Sequence, residues 1–167
     1  MGHTFVEHRD AGFWSDDGTL CVWLAQLVDA IDAQPDAEDW LRAARGSWWD
    51  QASWGLTGMV DPDLDRFCDD DARTARVIEC ALEAIARLEA TTAISREELE
   101  RRGIGGAEVS YSRDFESGPV RRVGLLFVAL LGGRLRGLLR ERGATARYID
   151  DDEATDVPAA FLAHRRS

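Results

Sequence analysis

Asp71–Ala90, DARTARVIECALEAIARLEA, sets Val77, Ile78, Ala81, Leu82, Ile85 and Leu88 at helical intervals, with Arg73, Arg76, Glu79, Glu83, Arg87 and Glu89 between them. A period of 3.6 puts the first group on one side of a helix and the second on the other. The stretch therefore predicts a two-faced helix from about Asp71 to Ala90. Its outer face is near neutral in energy, because Glu79–Glu83 repel at i,i+4 while Glu83–Arg87 attract. One apolar stripe has to be buried against another element, so the rest of the chain decides the fold class.

Working outward, the same period recurs. Leu20, Leu24, Leu27, Val28 and Ile31 follow Asp16 and Asp17, either of which can cap a helix start. After Pro35, Asp36 begins a second helix carrying Trp40, Leu41, Ala44, Trp48 and Ala52, with Gly46 as a weak point and Gly55 and Gly58 at its end. Pro62 opens a short helix with Leu64, Phe67 and Cys68 inward. Ser95 and Glu98 form a capping box for a helix to Arg102 that stops at Gly103.

Beyond a glycine-bearing loop from Gly103 to Gly118, which holds Tyr111, Arg113, Asp114 and Phe115, Pro119 begins the last long helix, to about Arg142. Gly132-Gly133 is a place for a kink or a close helix approach. Residues 1–15 are expected to be irregular or briefly extended, and strand alternation is scarce. The expectation is an all-α, single-domain bundle of about five to seven helices over residues 1–147, with residues 148–167 as an acidic tail whose Val157, Phe161 and Leu162 can dock.

Charge narrows the function classes. The 167 residues carry 31 acids and 20 basic residues, all arginine, for a net charge of −11. Residues 1–71 hold 16 acids and 4 arginines, residues 72–147 hold 10 and 14, and residues 148–167 hold 5 and 2. An acidic first half repels nucleic acid and anionic membrane and draws in basic partners. No secretory signal is legible at Met1–His8, and the apolar run Val123–Gly133 is about half a membrane span. Cys21, Cys68 and Cys80 lack CxxC spacing and suit buried, reduced thiols, which together point to a cytoplasmic protein.

Chemistry is sparse. Asp61, Asp63 and Asp65 alternate like the start of a calcium loop, but Arg66 stands where its glycine belongs and Ala72 where its bidentate acid belongs. His3, His8 and His164 share no helical pair or cysteine partner. Gly103-Ile104-Gly105-Gly106 matches no phosphate-loop pattern, and no serine elbow is present. No catalytic residue, cofactor or metal is expected.

What remains is the stretch Trp48 to Asp71. All six tryptophans fall in the acidic first third, and Trp48 and Trp49 are about 100° apart on a helix, so one narrow stripe does not bury both. Trp48, Trp49 and Trp54 with Asp61, Asp63, Asp65, Asp69 and Asp70 are the expected partner-binding residues, having the composition of a hot spot for an arginine- or lysine-rich protein. The competing reading is that the tryptophans fill a core and the aspartates cap helices.

Five short motifs, Phe13-Trp14-x-Asp16-Asp17, Trp40-Leu41-Arg42 with Trp48, Pro62-Asp63-Leu64-Asp65, Ile94-Ser95-Arg96-Glu97-Glu98-Leu99 and Arg122-Val123 to Leu131, resemble small acidic bacterial immunity proteins of polymorphic toxin systems. The resemblance covers about residues 13–136 and carries over no catalytic residue. It implies a cytoplasmic protein that neutralises a cognate toxin by binding it, and the acidic aromatic surface adds the expectation that a basic active-site face of the toxin is what it covers. A small helical hydrolase with a carboxylate cluster and a divalent metal, and a regulatory or scaffold subunit, are the alternatives.

Overall fold

A computed structural model describes residues 2–9, 11–54 and 59–135, and the backbone of 148–150. In chain order the elements are β1 His3–His8, β2 Ala11–Asp16, α1 Asp17–Asp32, α2 Asp39–Trp54, α3 Leu64–Phe67, α4 Asp71–Glu89, β3 Ala93–Ile94, α5 Arg96–Arg102, β4 Phe115–Glu116, α6 Ser117–Leu131 and β5 Tyr148–Asp150. The chain is mostly helical but not purely α. One sheet has the order β1-β2-β5, and β3 pairs with β4.

The first correction to the sequence reading is therefore the hairpin over residues 3–16. β1 and β2 are antiparallel, with His3 opposite Asp16 and His8 opposite Ala11, which leaves two residues to turn. Arg9 takes φ 56°, the left-handed value that such short hairpin turns use. Its alternation was hard to see because polar Thr4 and His8 face inward with Val6, while Phe5 faces outward against Trp14 at 5.3 Å between ring centroids. The threonine is buried because its hydroxyl donates to Asp17 Oδ1 at 2.7 Å, fastening β1 to the start of α1.

Helix starts follow the expected chemistry. Asp16 is the cap of α1, its carboxylate accepting from the Thr19 N–H and hydroxyl, both at 2.9 Å. Asp70 caps α4 through the Arg73 N–H at 2.7 Å, and Ser95 caps α5. Gly103 ends α5 at φ 70°, where a side chain would be strained. The short helix begins two residues after Pro62, at Leu64, with Asp63 left-handed at φ 49°.

The core corrects a second expectation. α1 is not a one-faced helix: Leu20 to Ala25, Leu27, Val28, Ala30 and Ile31 are all buried, so it runs through the middle of the molecule. α6 is equally enclosed from Val123 to Leu131, and α2 and α4 pack around the pair. Close approach of α1 and α6 is set by Gly124. A Cβ placed there would sit 2.5 Å from Cζ3 of the Trp23 indole. Trp23 in turn stacks edge-on to Phe127 at 5.7 Å, and Phe127 to Trp48 at 6.4 Å, a chain of aromatics through the core.

α6 ends at Leu131 and Gly133 is left-handed at φ 72°, so Gly132-Gly133 breaks the helical run as expected, with Arg134 and Leu135 helical again, while the close approach to α1 is at Gly124. The expected continuation to Arg142 and the acidic tail beyond Asp150 lie outside the described residues. No described helix is long and apolar enough to cross a membrane.

Two glycines give opposite expectations for the same substitution. Gly124→Ala drives a methyl into a rigid, buried indole and should destabilise by about 1–3 kcal/mol. Gly46→Ala, in α2 with nothing within 4 Å of the added methyl, should stabilise by about 0.5–1 kcal/mol. Urea unfolding midpoints with unchanged slope would read both; a neutral Gly124→Ala would contradict the packing described.

Candidate functional site

The structure separates the eight expected contact residues. Trp48 leaves the site altogether: it is 0% exposed, its Nε1 donates to the Pro62 carbonyl at 2.7 Å, and its ring packs on Phe67 and Phe127. A buried indole N–H needs such an acceptor, and Pro62 supplies it. Trp49, about 100° round the helix, is half-buried and faces α5 and the later part of α1. The Arg45 and Arg102 guanidiniums lie 5.7 and 5.2 Å from its ring centre. Each is held by two hydrogen bonds, Arg45 to Asp32 at 2.8 and 2.7 Å and Arg102 to Asp29 at 2.9 and 2.6 Å. The cations expected on Trp49 are thus the chain's own, not a partner's.

Most of the aspartates have local structural partners. Asp65 Oδ1 accepts the Arg9 N–H at 2.8 Å and lies 2.9 Å from Nδ1 of the buried His8, which docks the hairpin turn on α3. Asp70 is the α4 cap, and Asp69 meets Arg73 at 3.2 Å. Asp63 lies 3.7 Å from Arg66. Asp61 Oδ1 accepts the Asp63 N–H at 2.8 Å, a turn bond that leaves its carboxylate at the surface. One cap at Asp70, one turn bond at Asp61 and ion pairs at Asp63, Asp65 and Asp69 thus give each carboxylate of this cluster a local structural role.

Of the expected residues, Trp54 and Asp61 are exposed and make no ion pair among the described residues, whereas Asp65, Asp69 and Asp70 are exposed but held by local partners. Trp54, the last residue of α2, is 67% exposed, and Met59 is 66% exposed on the far side of residues 55–58. Asp50, one turn before Trp54, is exposed as well. Met59 and Asp50 were absent from the expected set: a methionine outside any helix or strand carries no periodic signal, and Asp50 looks like any helix-surface acid. The end of α2 is joined to the loop after α5 by the Gly105 N–H, which donates to the Ala52 carbonyl at 2.7 Å. That loop brings a further exposed apolar residue, Val109, and its Tyr111 hydroxyl donates to the Ile104 carbonyl at 2.8 Å.

The same loop borders a cleft of about 380 Å³ lined by Thr19, Tyr111, Ser112, Arg113, Asp114, Phe115, Glu116 and Pro119. Burial pushes the Tyr111 phenol up to about 12, so it is a neutral hydrogen-bonding ring at ordinary pH. Asp114 Oδ1 accepts the Arg96 N–H at 3.0 Å, pinning the loop to the start of α5.

The thiols are built for packing. Cys21 and Cys68 are pushed up to about 12 and Cys80 to about 11, in each case mainly by burial. Among the described residues, no three His, Cys, Asp or Glu side chains lie so as to hold a metal ion. Comparison with known proteins finds no matching family pattern, no matching curated protein and no matching solved structure.

The cysteines should resist iodoacetamide at pH 8 in the folded chain and react fully in denaturant, a contrast that mass spectrometry reads directly. Because their values rise on folding from about 9, the unfolded chain loses these protons first. Stability from the neutral thiols is complete below pH 9 and falls as pH climbs from 9 toward 12. Rapid labelling of Cys21 or Cys68 without unfolding would contradict this placement.

Proposed function

We propose that the protein is a non-enzymatic binding protein of the immunity type, which neutralises a basic toxin domain by covering its substrate-binding face. The observation that carries the reading is the pair Trp54 and Met59, each about two thirds exposed, flanked by the exposed carboxylates of Asp50 and Asp61. Large apolar side chains ordinarily lose water on folding. Leaving an indole and a thioether in solvent suits a surface completed by another protein.

The charge adds direction. At a net −11 the chain attracts a basic partner over several ångströms of solution, and the carboxylates around Trp54 orient that approach. The tryptophan and methionine would supply buried area at the centre, with the methionine adapting to the opposing surface. The resemblance to immunity proteins points the same way, to a partner encoded beside this chain in a bacterial cytoplasm.

The test is association with the toxin-like domain encoded in the neighbouring gene. Trp54→Ala with Met59→Ala should raise the dissociation rate by about 100-fold or more, as expected for hot-spot residues, and abolish protection in a growth assay. Asp50→Arg with Asp61→Arg should instead slow association and flatten its salt dependence, whereas Glu97→Arg on α5 should do neither. Wild-type binding and protection by the Trp54/Met59 double variant would sink the proposal.

A further inference from the structure

The cleft between the loop after α5 and the first turns of α1 and α6 shares no residue with the Trp54 surface. Tyr111, Phe115, Pro119 and Thr19 are half-buried and form its floor, and Ser112, Arg113, Asp114 and Glu116 are exposed at its rim. The Tyr111 and Phe115 rings stand 81° apart with centroids at 6.1 Å, a corner of two π surfaces. Backbone anchors on both sides hold that corner in place. The Tyr111 N–H donates to Glu100 at 2.7 Å, Asp114 accepts the Arg96 N–H at 3.0 Å, and Phe115 pairs with Ile94 across β3 and β4. Rings fixed in advance lose little freedom when a ligand arrives.

Elsewhere in the chain, aromatic rings carry its own arginines: Arg45 and Arg102 on Trp49, Arg73 on Trp40 and Arg66 on Phe67. Among the described residues no arginine lies over Tyr111 or Phe115, although Arg113 stands between them in the chain. The two rim carboxylates have no ion pair there either. Glu116 precedes α6 without bonding an amide, and Asp114 uses one oxygen on the Arg96 N–H. With Arg113, the rim carries two negative charges and one positive charge. The hydroxyls of the floor are already engaged, Tyr111 donating to the Ile104 carbonyl and Thr19 to Asp16. An N–H-bearing cation would lose hydration on this floor without regaining hydrogen bonds. A cation whose charge is covered by alkyl groups gives up less water and is attracted by both ring faces.

We propose that the cleft binds a small trimethylammonium compound, its alkylated head in the Tyr111–Phe115 corner and its charge balanced by Asp114 and Glu116. The volume of about 380 Å³ is that of a small-molecule pocket, so the occupant is a free cation rather than a segment of protein. The assignment is independent of the toxin-binding reading. It uses none of the residues of that surface and needs no second protein.

Titration of the full chain with choline, followed by amide NMR, tests it. The control ligand is the uncharged isostere of choline in which a tert-butyl group replaces the trimethylammonium. Choline should shift the Thr19, Tyr111, Phe115 and Glu116 amides along one saturable curve, and the isostere should bind at least about tenfold more weakly. Phe115→Leu should weaken choline by a similar factor. Asp114→Asn with Glu116→Gln should weaken it too and flatten its salt dependence, the asparagine keeping an acceptor for the Arg96 N–H. The remaining amide signals report an intact fold in both variants. Absence of shifts in the cleft, shifts centred elsewhere, equal affinity for the isostere, or unchanged binding in the carboxylate variant would each overturn the proposal. Tighter binding of a trimethyl-lysine peptide than of choline would overturn the assignment to a free cation.

Discussion

The architecture depends on how closely α1 and α6 approach, and that distance is set by the Trp23 indole lying over the bare backbone of Gly124. With a Cβ at position 124 the ring would be met at 2.5 Å, so one of the two helices would have to move. Because both helices are enclosed on nearly every side, a shift of either one disturbs α2 and α4 together. Close-packed interiors transmit such displacements because they contain little free volume. The aromatic line Trp23–Phe127–Trp48–Phe67 carries the same constraint outward to α3, and hence to the turn that displays Asp61.

Around that core the excess of negative charge has a local explanation before it has a functional one. Asp16 and Asp70 accept from free helix-start amides, Asp61 closes a turn, Asp65 holds the hairpin, and Asp29 and Asp32 each bind an arginine bidentately. Such roles fix the position of a carboxylate while leaving the surface acidic. The two arginines that Asp29 and Asp32 hold are those beside Trp49, which withdraws that ring from any outside cation. At the end of α2, the exposed Trp54 ring lies one helical turn after the exposed Asp50 carboxylate.

Helices were the legible part of this chain because their period is written in side chains that alternate between core and water, as at Val77, Ala81, Ile85 and Leu88, although Ile78 and Leu82, expected inside with them, are only half-buried. Caps were legible for a related reason, since Asp70 and Ser95 act on amides only three residues away. The hairpin was not, because its inward positions include Thr4 and His8, and these are tolerable inside only through partners at Asp17 and Asp65 that are distant in sequence. The candidate site was half legible for the same reason. Trp54 could be named from composition, but the fate of Trp48 rested on the Pro62 carbonyl, and that of Trp49 on Arg102 from α5.

By itself, then, the sequence determined the helical segments, the caps at Asp16, Asp70 and Ser95, the stop at Gly103, the buried thiols and an acidic, tryptophan-rich first third. These follow from interactions within a turn or two of chain and from summed charge. Only the tertiary structure decided which helices are central, that residues 3–16 pair as a hairpin, and which tryptophans meet solvent. Those outcomes turn on contacts between residues far apart in the chain, where a single glycine or a single carbonyl determines which side chain is enclosed.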